Sequence, residues 1–325
     1  MRKRKKSRYL SPKKNNQRSG YRVNSKKRRK KKSSVRGFFV LTAIILLALF
    51  VNHVYPDWIH LFGSKHEDGV LYITFLDVGQ GDSIFIANNG MTMLIDAGEQ
   101  EYADDIIRYI RRYGYSRIDV LVATHAHADH IGGMVDVIGR FDIGSILMPN
   151  VQHNTQTFER TLDAILAKNI SVYSPTPGDT FEIGAAKVTV LAPFRLSRND
   201  INNSSIVLKV EYGDHAFIFT GDTEAAAEAE ILAAGFDISA NVLKVSHHGS
   251  HSSTTESFLL AVSPEIAVIS VASDNSYGHP HRAVLDRLNR IGATIYRTST
   301  HGNIEMNTDG TSLNVKTQRR GWWQP

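Results

Sequence analysis

The chain has no cysteine. That excludes a disulfide framework and removes thiolate both as a metal ligand and as a nucleophile. The absence suits a protein exposed to oxidants outside a cell, although it assigns no compartment by itself. Acidic residues are missing from positions 1–36, which carry eighteen Lys and Arg. A segment so basic and so poor in apolar side chains builds no core and is expected to be disordered. The formal net charge of +6 hides this split: beyond residue 36, twenty basic residues face all 32 acidic ones, a net of −12. Sequence-independent nucleic-acid binding depends on Lys and Arg neutralising phosphates. The body of the chain therefore grips a polyanion, if at all, through a local patch. No Ser-His-Asp pattern and no internal repeat stand out.

Residues 37–54 carry no Lys, Arg, Asp or Glu. About 17 apolar residues is the short end of a membrane span. The long basic leader and the lack of a small-x-small site favour an uncleaved anchor over a cleaved signal peptide. Lys and Arg ahead of the span place the N-terminus in the cytoplasm and the body outside, a single-pass arrangement in the cell membrane. The basic tail, 1–36, then lies against anionic inner-leaflet lipid. Residues 55–68 read as a linker, 69–317 as the folded domain, and 318–325 as a tail without core pattern.

From Gly69 the pattern is rich in strands. Apolar, β-branched runs at 70–76, 83–87, 91–95, 118–123, 187–191, 206–211, 216–219, 242–245 and 266–271 predict strands. Helical spacing marks 103–113, a helix continuing through 134–138, and then 157–168, 224–234 and 282–290. Short strands from 294 to Val315 close the pattern. Strands and helices interleave in two successive series, which predicts two sheets packed between helices.

The densest chemistry is Thr124-His125-Ala126-His127-Ala128-Asp129-His130, followed by Gly132-Gly133. Four metal-ligand side chains fall in six positions, in a tight loop after a predicted buried strand, where α/β sheets place their sites. Imidazole and carboxylate at this density suit zinc, with manganese or iron as alternatives.

Further stretches join this loop: Asp77-Val78-Gly79-Gln80-Gly81-Asp82-Ser83, Leu94-Ile95-Asp96-Ala97-Gly98, Asn202-Asn203-Ser204-Ser205, Phe219-Thr220-Gly221-Asp222, Leu243-Lys244-Val245-Ser246-His247-His248-Gly249-Ser250 and Tyr277-Gly278-His279-Pro280. In this order, over residues 69–317, they resemble the metallo-β-lactamase superfamily, and within it the hydrolase domain of ComEC competence proteins and its stand-alone relatives. The resemblance implies a four-layer αβ/βα sandwich with two divalent metal ions, zinc or manganese, on one edge. His125 and His127 would hold one ion, Asp129 and His130 the second, with Asp222 bridging. One of His247 and His248 would be a late ligand, His247 being preferred because neighbours at a strand end point oppositely. Asp96, and less firmly Asp82, would orient ligand histidines from behind. His279 would protonate a leaving group or grip a phosphate.

One departure is visible. Many superfamily members carry a further His between the metal loop and the bridging Asp. Only His153 and His215 lie there, neither in the usual place, and Asn203 or a neighbour takes the slot, offering an amide oxygen. The function implied is an outward-facing hydrolase in which two cations acidify a water. Phosphodiesters, in DNA or a cell-wall polymer, are the favoured substrate. Carbon esters, lactones or β-lactams are the alternative, and a non-catalytic metal-binding envelope module is a third reading.

Overall fold

The computed structural model describes residues 41–42 and 66–319. The basic tail and nearly all of the expected span lie outside the described residues; of the span, only Leu41 and Thr42 are described, both helical. Among the described residues, no helix is long and apolar enough to cross a membrane. The fold below belongs to the unit that runs Tyr55–Pro325.

Six strands open the first sheet: β1 (Leu71–Phe75), β2 (Ile84–Asn88), β3 (Met91–Ile95), β4 (Arg117–Val122), β5 (Asp142–Leu147) and β6 (Val172–Tyr173). Seven then form the second: β7 (Thr180–Ile183), β8 (Ala186–Ala192), β9 (Val207–Tyr212), β10 (His215–Phe219), β11 (Val242–Lys244), β12 (Ile266–Ile269) and β13 (Thr294–Arg297). The last two, β14 (Ile304–Thr308) and β15 (Leu313–Thr317), return to the first sheet, where β14 pairs antiparallel with β1. In each sheet the hairpin strands are antiparallel, whereas β3 to β6 and β10 to β13 are parallel. The parallel strands of each sheet aim their C-terminal ends at the site.

Strand alternation builds the layers. Ile84 and Ile86 of β2 face the second sheet, joining Leu71, Ile73, Val188, Val210, Phe217 and Phe219 in the central core. Phe85 and Ala87 face the opposite way, onto α1 (Ala103–Arg112), α2 (Ala128–Ile131), α3 (Met134–Arg140) and α4 (Gln156–Ala167). The outer face of the second sheet is covered by α5 (Ala225–Ala234), α6 (Glu256–Val262) and α7 (Arg282–Arg290), through Ile231, Phe258, Leu259, Val284 and Leu288. Both faces of the central strands are thus apolar, as expected of sheets covered on two sides. The order is helices, sheet, sheet, helices, as the interleaved pattern predicts.

Strands β5, β6 and β7 and helix α6 are among the elements that go beyond the sequence reading. β5 contains Gly144, whose place a Cβ would fill 2.5 Å from the Asp119 carbonyl oxygen, so a residue of low strand preference is required by the approach of β4. β7 is a short outer strand. Helix α6 begins at Thr255, whose hydroxyl accepts from the Phe258 amide, while the buried Glu228 carboxylate accepts the Thr254 and Thr255 amides.

Candidate metal centre

Loops leaving β3, β4, β10, β11 and β12 meet at one edge of the sandwich. Asp96 follows β3 directly with a left-handed φ of 59°. Its carboxylate accepts the Thr124 amide (2.8 Å) and hydroxyl (2.6 Å), locking the start of the metal loop to the neighbouring strand. His130 Nδ1 donates to the same carboxylate at 2.7 Å. That fixes the ring and leaves His130 Nε2 free, 3.3 Å from Asp222 Oδ2 and 3.7 Å from Asp129 Oδ2. Asp222 ends the loop after β10, its amide held by the Ser205 hydroxyl.

His248 is oriented in the same manner. Its Nδ1 donates to the Ser270 carbonyl oxygen at 2.9 Å, at the end of β12. Nε2 then lies 3.4 Å from Asp129 Oδ2 and 3.5 Å from Asp222 Oδ2. Asp129, His130, Asp222 and His248 each offer one ligand atom, all within 4.8 Å of one another. His130 Nε2, His248 Nε2 and Asp222 Oδ1 are buried without a hydrogen-bond partner among the described residues. Buried polar atoms left this way are costly, so the donor set fits a bound cation.

The electrostatics agree. Burial opposes charge on His130 and His248, yet Asp222 and Asp129 outweigh it, raising His130 well above the ordinary imidazole range and His248 to about 10. Burial likewise opposes charge on Asp222 and Asp129, but the two histidines hold both carboxyls below the usual range. The centre is built to surround positive charge.

His125 and His127 adjoin this cluster. His125 Nε2 and His127 Nδ1 are 2.9 Å apart, and Asp222 Oδ2 is 3.9 Å from His125 Nε2. Burial, then His130, keeps His125 well below the ordinary range and neutral, as a metal-binding imidazole must be. One Asp222 oxygen thus faces both histidine pairs, the position a bridging ligand would take. His153 stands beside His127, ring centroids 5.9 Å apart, whereas His215 bonds Thr308 away from the site.

The structure brings His248 into the four-donor group where the sequence pointed to His247. His247 lies toward the rim, with Nδ1 3.1 Å from Glu224 Oε1 and Nε2 3.7 Å from Asp222. The expected alternation presumes extended backbone, but β11 ends at Lys244, and His247 and His248 are consecutive left-handed residues, with φ of 49° and 54°. Asn203 is also corrected. Its Oδ1 accepts the Glu224 and Ala227 amides (2.9 and 3.2 Å) and its Nδ2 donates to Asp200, so it caps α5 and turns no free oxygen to the donor group.

Asp82 is buried behind the centre, 3.9 Å from His130 Nδ1 and 3.7 Å from His248 Nδ1. It pairs with Lys244, the residue that sequence reasoning overlooked. Lys244 is fully buried; its Nζ bonds Asp82 and the Gly221 carbonyl and lies 4.0 Å from Asp222 Oδ1. A lysine amid the apolar run Val242-Leu243-Lys244-Val245 was the available signal. Gly81 completes this wall: a Cβ there would sit 2.1 Å from the Asp129 carbonyl oxygen. His279 flanks the cluster, its ring 5.6 Å from that of His247 and 6.4 Å from that of His248. Burial and then the neighbouring imidazoles lower it to about 4, so it stands neutral in the free protein.

The family model of the metallo-beta-lactamase superfamily matches residues 76–273, which span both the metal loop and the late histidines. The chain belongs to this superfamily. Among curated proteins it is similar to ComE operon protein 3 of Bacillus subtilis, 29% identical over 290 residues, covering 84% of this chain and 36% of the relative. It is also similar to competence protein ComA of Neisseria gonorrhoeae, 29% identical over 286 residues, covering 87% of this chain and 38% of that one. The chain thus spans little more than a third of these relatives, which are ComEC-type competence proteins. Among solved structures it resembles the metallo-beta-lactamase fold protein YhfI from Bacillus subtilis, with a TM-score of 0.51 at 10% identity over 72% of this chain and 99% of that one. That likeness bears on the fold alone.

Proposed function

We propose that the chain is a metal-dependent phosphodiesterase anchored in the cell membrane, with its catalytic domain outside. The observation that carries the catalytic part is the convergence of one ligand atom each from Asp129, His130, Asp222 and His248 within 4.8 Å of one another, the two ring Nε2 atoms being buried without a hydrogen-bond partner among the described residues. His125, His127 and Asp222 would hold one divalent ion, and Asp129, His130, Asp222 and His248 the other. Such a pair, zinc or manganese, supplies Lewis acidity and lowers the pKa of a coordinated water. The residues of the chain do the remainder. Asp96 and Ser270 hold two ligand rings in one tautomer, Lys244 and Asp82 brace the rear wall, and His279, at the rim, would contact a leaving group or phosphate oxygen.

Phosphodiesters are preferred over carbon esters and lactams because the resemblance to the hydrolase domain of competence proteins implies a nuclease-type substrate. A cell-wall phosphodiester polymer is the other member of the same chemical class. The basic leader, residues 1–36, and the apolar run 37–54 supply the anchor and its contact with anionic lipid.

The test is elemental analysis of the purified full-length chain, together with turnover of bis-p-nitrophenyl phosphate, a lactone and nitrocefin in several divalent ions. Two ions per chain and hydrolysis of the phosphodiester alone, abolished in Asp222→Ala, are expected. Turnover confined to nitrocefin or the lactone would overturn the substrate class, and a folded protein that takes up no ion would overturn the reading altogether.

A further inference from the structure

Three rings form a file at the rim of the centre. His248, a member of the four-donor group, lies 24° from parallel with His279 at 6.4 Å, and His279 lies 22° from parallel with Tyr277 at 5.6 Å. The inner ring is buried, and the outer one, Tyr277, is 66% exposed. An isolated exposed tyrosine is unremarkable. This one belongs to a braced loop. Asn275 Oδ1 accepts the His279 amide (2.9 Å), and its Nδ2 donates to the carbonyls of Ala272 (2.9 Å) and His279 (2.7 Å). From the other side, Gln80 Oε1 accepts the Ala272 amide (3.2 Å) while Nε2 faces His279 Nδ1 (3.5 Å). The aromatic face is thus presented in place before any ligand arrives, which reduces the ordering cost of binding.

The geometry points to Tyr277 and His279 as a stacking subsite for a nucleobase of the phosphodiester whose bond is cleaved at the adjacent metal centre. The inference rests on the phosphodiesterase reading and adds to it the part of the substrate beyond the phosphate. A base laid against the Tyr277 ring continues this file, at the rim of the donor group that includes His248. An open flat face suits a planar ring. A quaternary ammonium is instead recognised within several aromatic walls. Base stacking on an aromatic side chain is worth enough to change affinity about ten-fold or more, with little regard to base identity.

The test uses the full-length chain in its metal-loaded form and two readouts. In the first, a short single-stranded oligonucleotide carrying 2-aminopurine is titrated with protein, and its fluorescence reports stacking independently of turnover. Quenching is expected with the unaltered chain and with Tyr277→Phe, and its loss with Tyr277→Ala. In the second, kcat and KM are compared for the p-nitrophenyl esters of thymidine 5′-phosphate, methyl phosphate and phosphorylcholine. Tyr277→Ala should lower kcat/KM for the thymidine ester about ten-fold more than for the methyl ester, mainly through KM. Quenching that persists in Tyr277→Ala, or equal losses on the two esters, overturns the subsite. A loss selective for the phosphorylcholine ester also overturns it, in favour of a cation site. Hydrolysis of no ester, with Tyr277-dependent quenching intact, supports the subsite while removing the phosphodiesterase reading.

Discussion

Lys244 Nζ lies against Asp82 in the interior behind the metal ligands, with neither residue more than 1% exposed. Removing one partner of such a pair leaves an uncompensated buried charge, which costs about 3–5 kcal/mol. Lys244→Met should therefore destabilise the metal-free chain by that order in urea unfolding. Pairing it with Asp82→Asn should restore much of the loss. If the double variant were no more stable than Lys244→Met alone, the pairing would not be the source of the effect.

The two neighbouring histidines should separate cleanly. His248→Ala is expected to lose one bound ion after dialysis, measured by elemental analysis, because Nε2 of His248 is the donor fixed by Ser270. His247→Ala should keep two ions. The opposite pattern would return the ligand role to His247.

Asp96 is expected to act on affinity through His130. Asp96→Asn weakens the acceptor that lies 2.7 Å from His130 Nδ1, and loss of such a partner typically costs 10–100-fold in metal affinity. Competition against a chromophoric chelator measures this. An unchanged dissociation constant would show that the ring needs no such support.

Asn203 should behave as a capping residue. Asn203→Ala removes the acceptor of two amides at the start of α5 and should lower stability by about 1 kcal/mol, with ion content unaltered. Loss of an ion in this variant would restore the amide oxygen as a ligand.

Acid should act partly through His66. Its ring stacks on Tyr72 at 3.9 Å and meets Tyr113 and the Tyr115 hydroxyl, and burial lowers it to about 4. The unfolded chain takes up the proton near the ordinary value of 6.5, the folded chain only near 4. The contribution is therefore complete above about pH 6.5 and is lost as the pH falls toward 4. Between pH 7.5 and 5.0 the unaltered chain should lose more stability than His66→Phe in urea unfolding. Equal losses would exclude His66 as the titrating group.

Much of this arrangement was legible before folding was considered. β3 and α7 occupy the predicted ranges, because β-branched runs and 3.6-residue spacing reflect burial directly. The metal loop was legible because its donors are contiguous. What escaped depends on contacts made at a distance. β5 was hidden by Gly144, a residue chosen by the neighbouring strand. The roles of His247 and His248 turned on two left-handed residues that no alternation rule describes. Asn203 looked like a donor until α5 supplied the amides it caps, and Lys244 made sense only once Asp82, 162 positions earlier, stood beside it.

The donor set is divided between the two halves of the polypeptide: Asp129 and His130 leave the first sheet, Asp222 and His248 the second. Neither half owns a complete cage, so an ion held there acts as a rivet across the seam of the sandwich. A polypeptide halted partway through synthesis, or cut between the sheets with its pieces drifting apart, would retain only fragments of the grip. Uptake of the ion thereby marks the moment at which both halves have found each other.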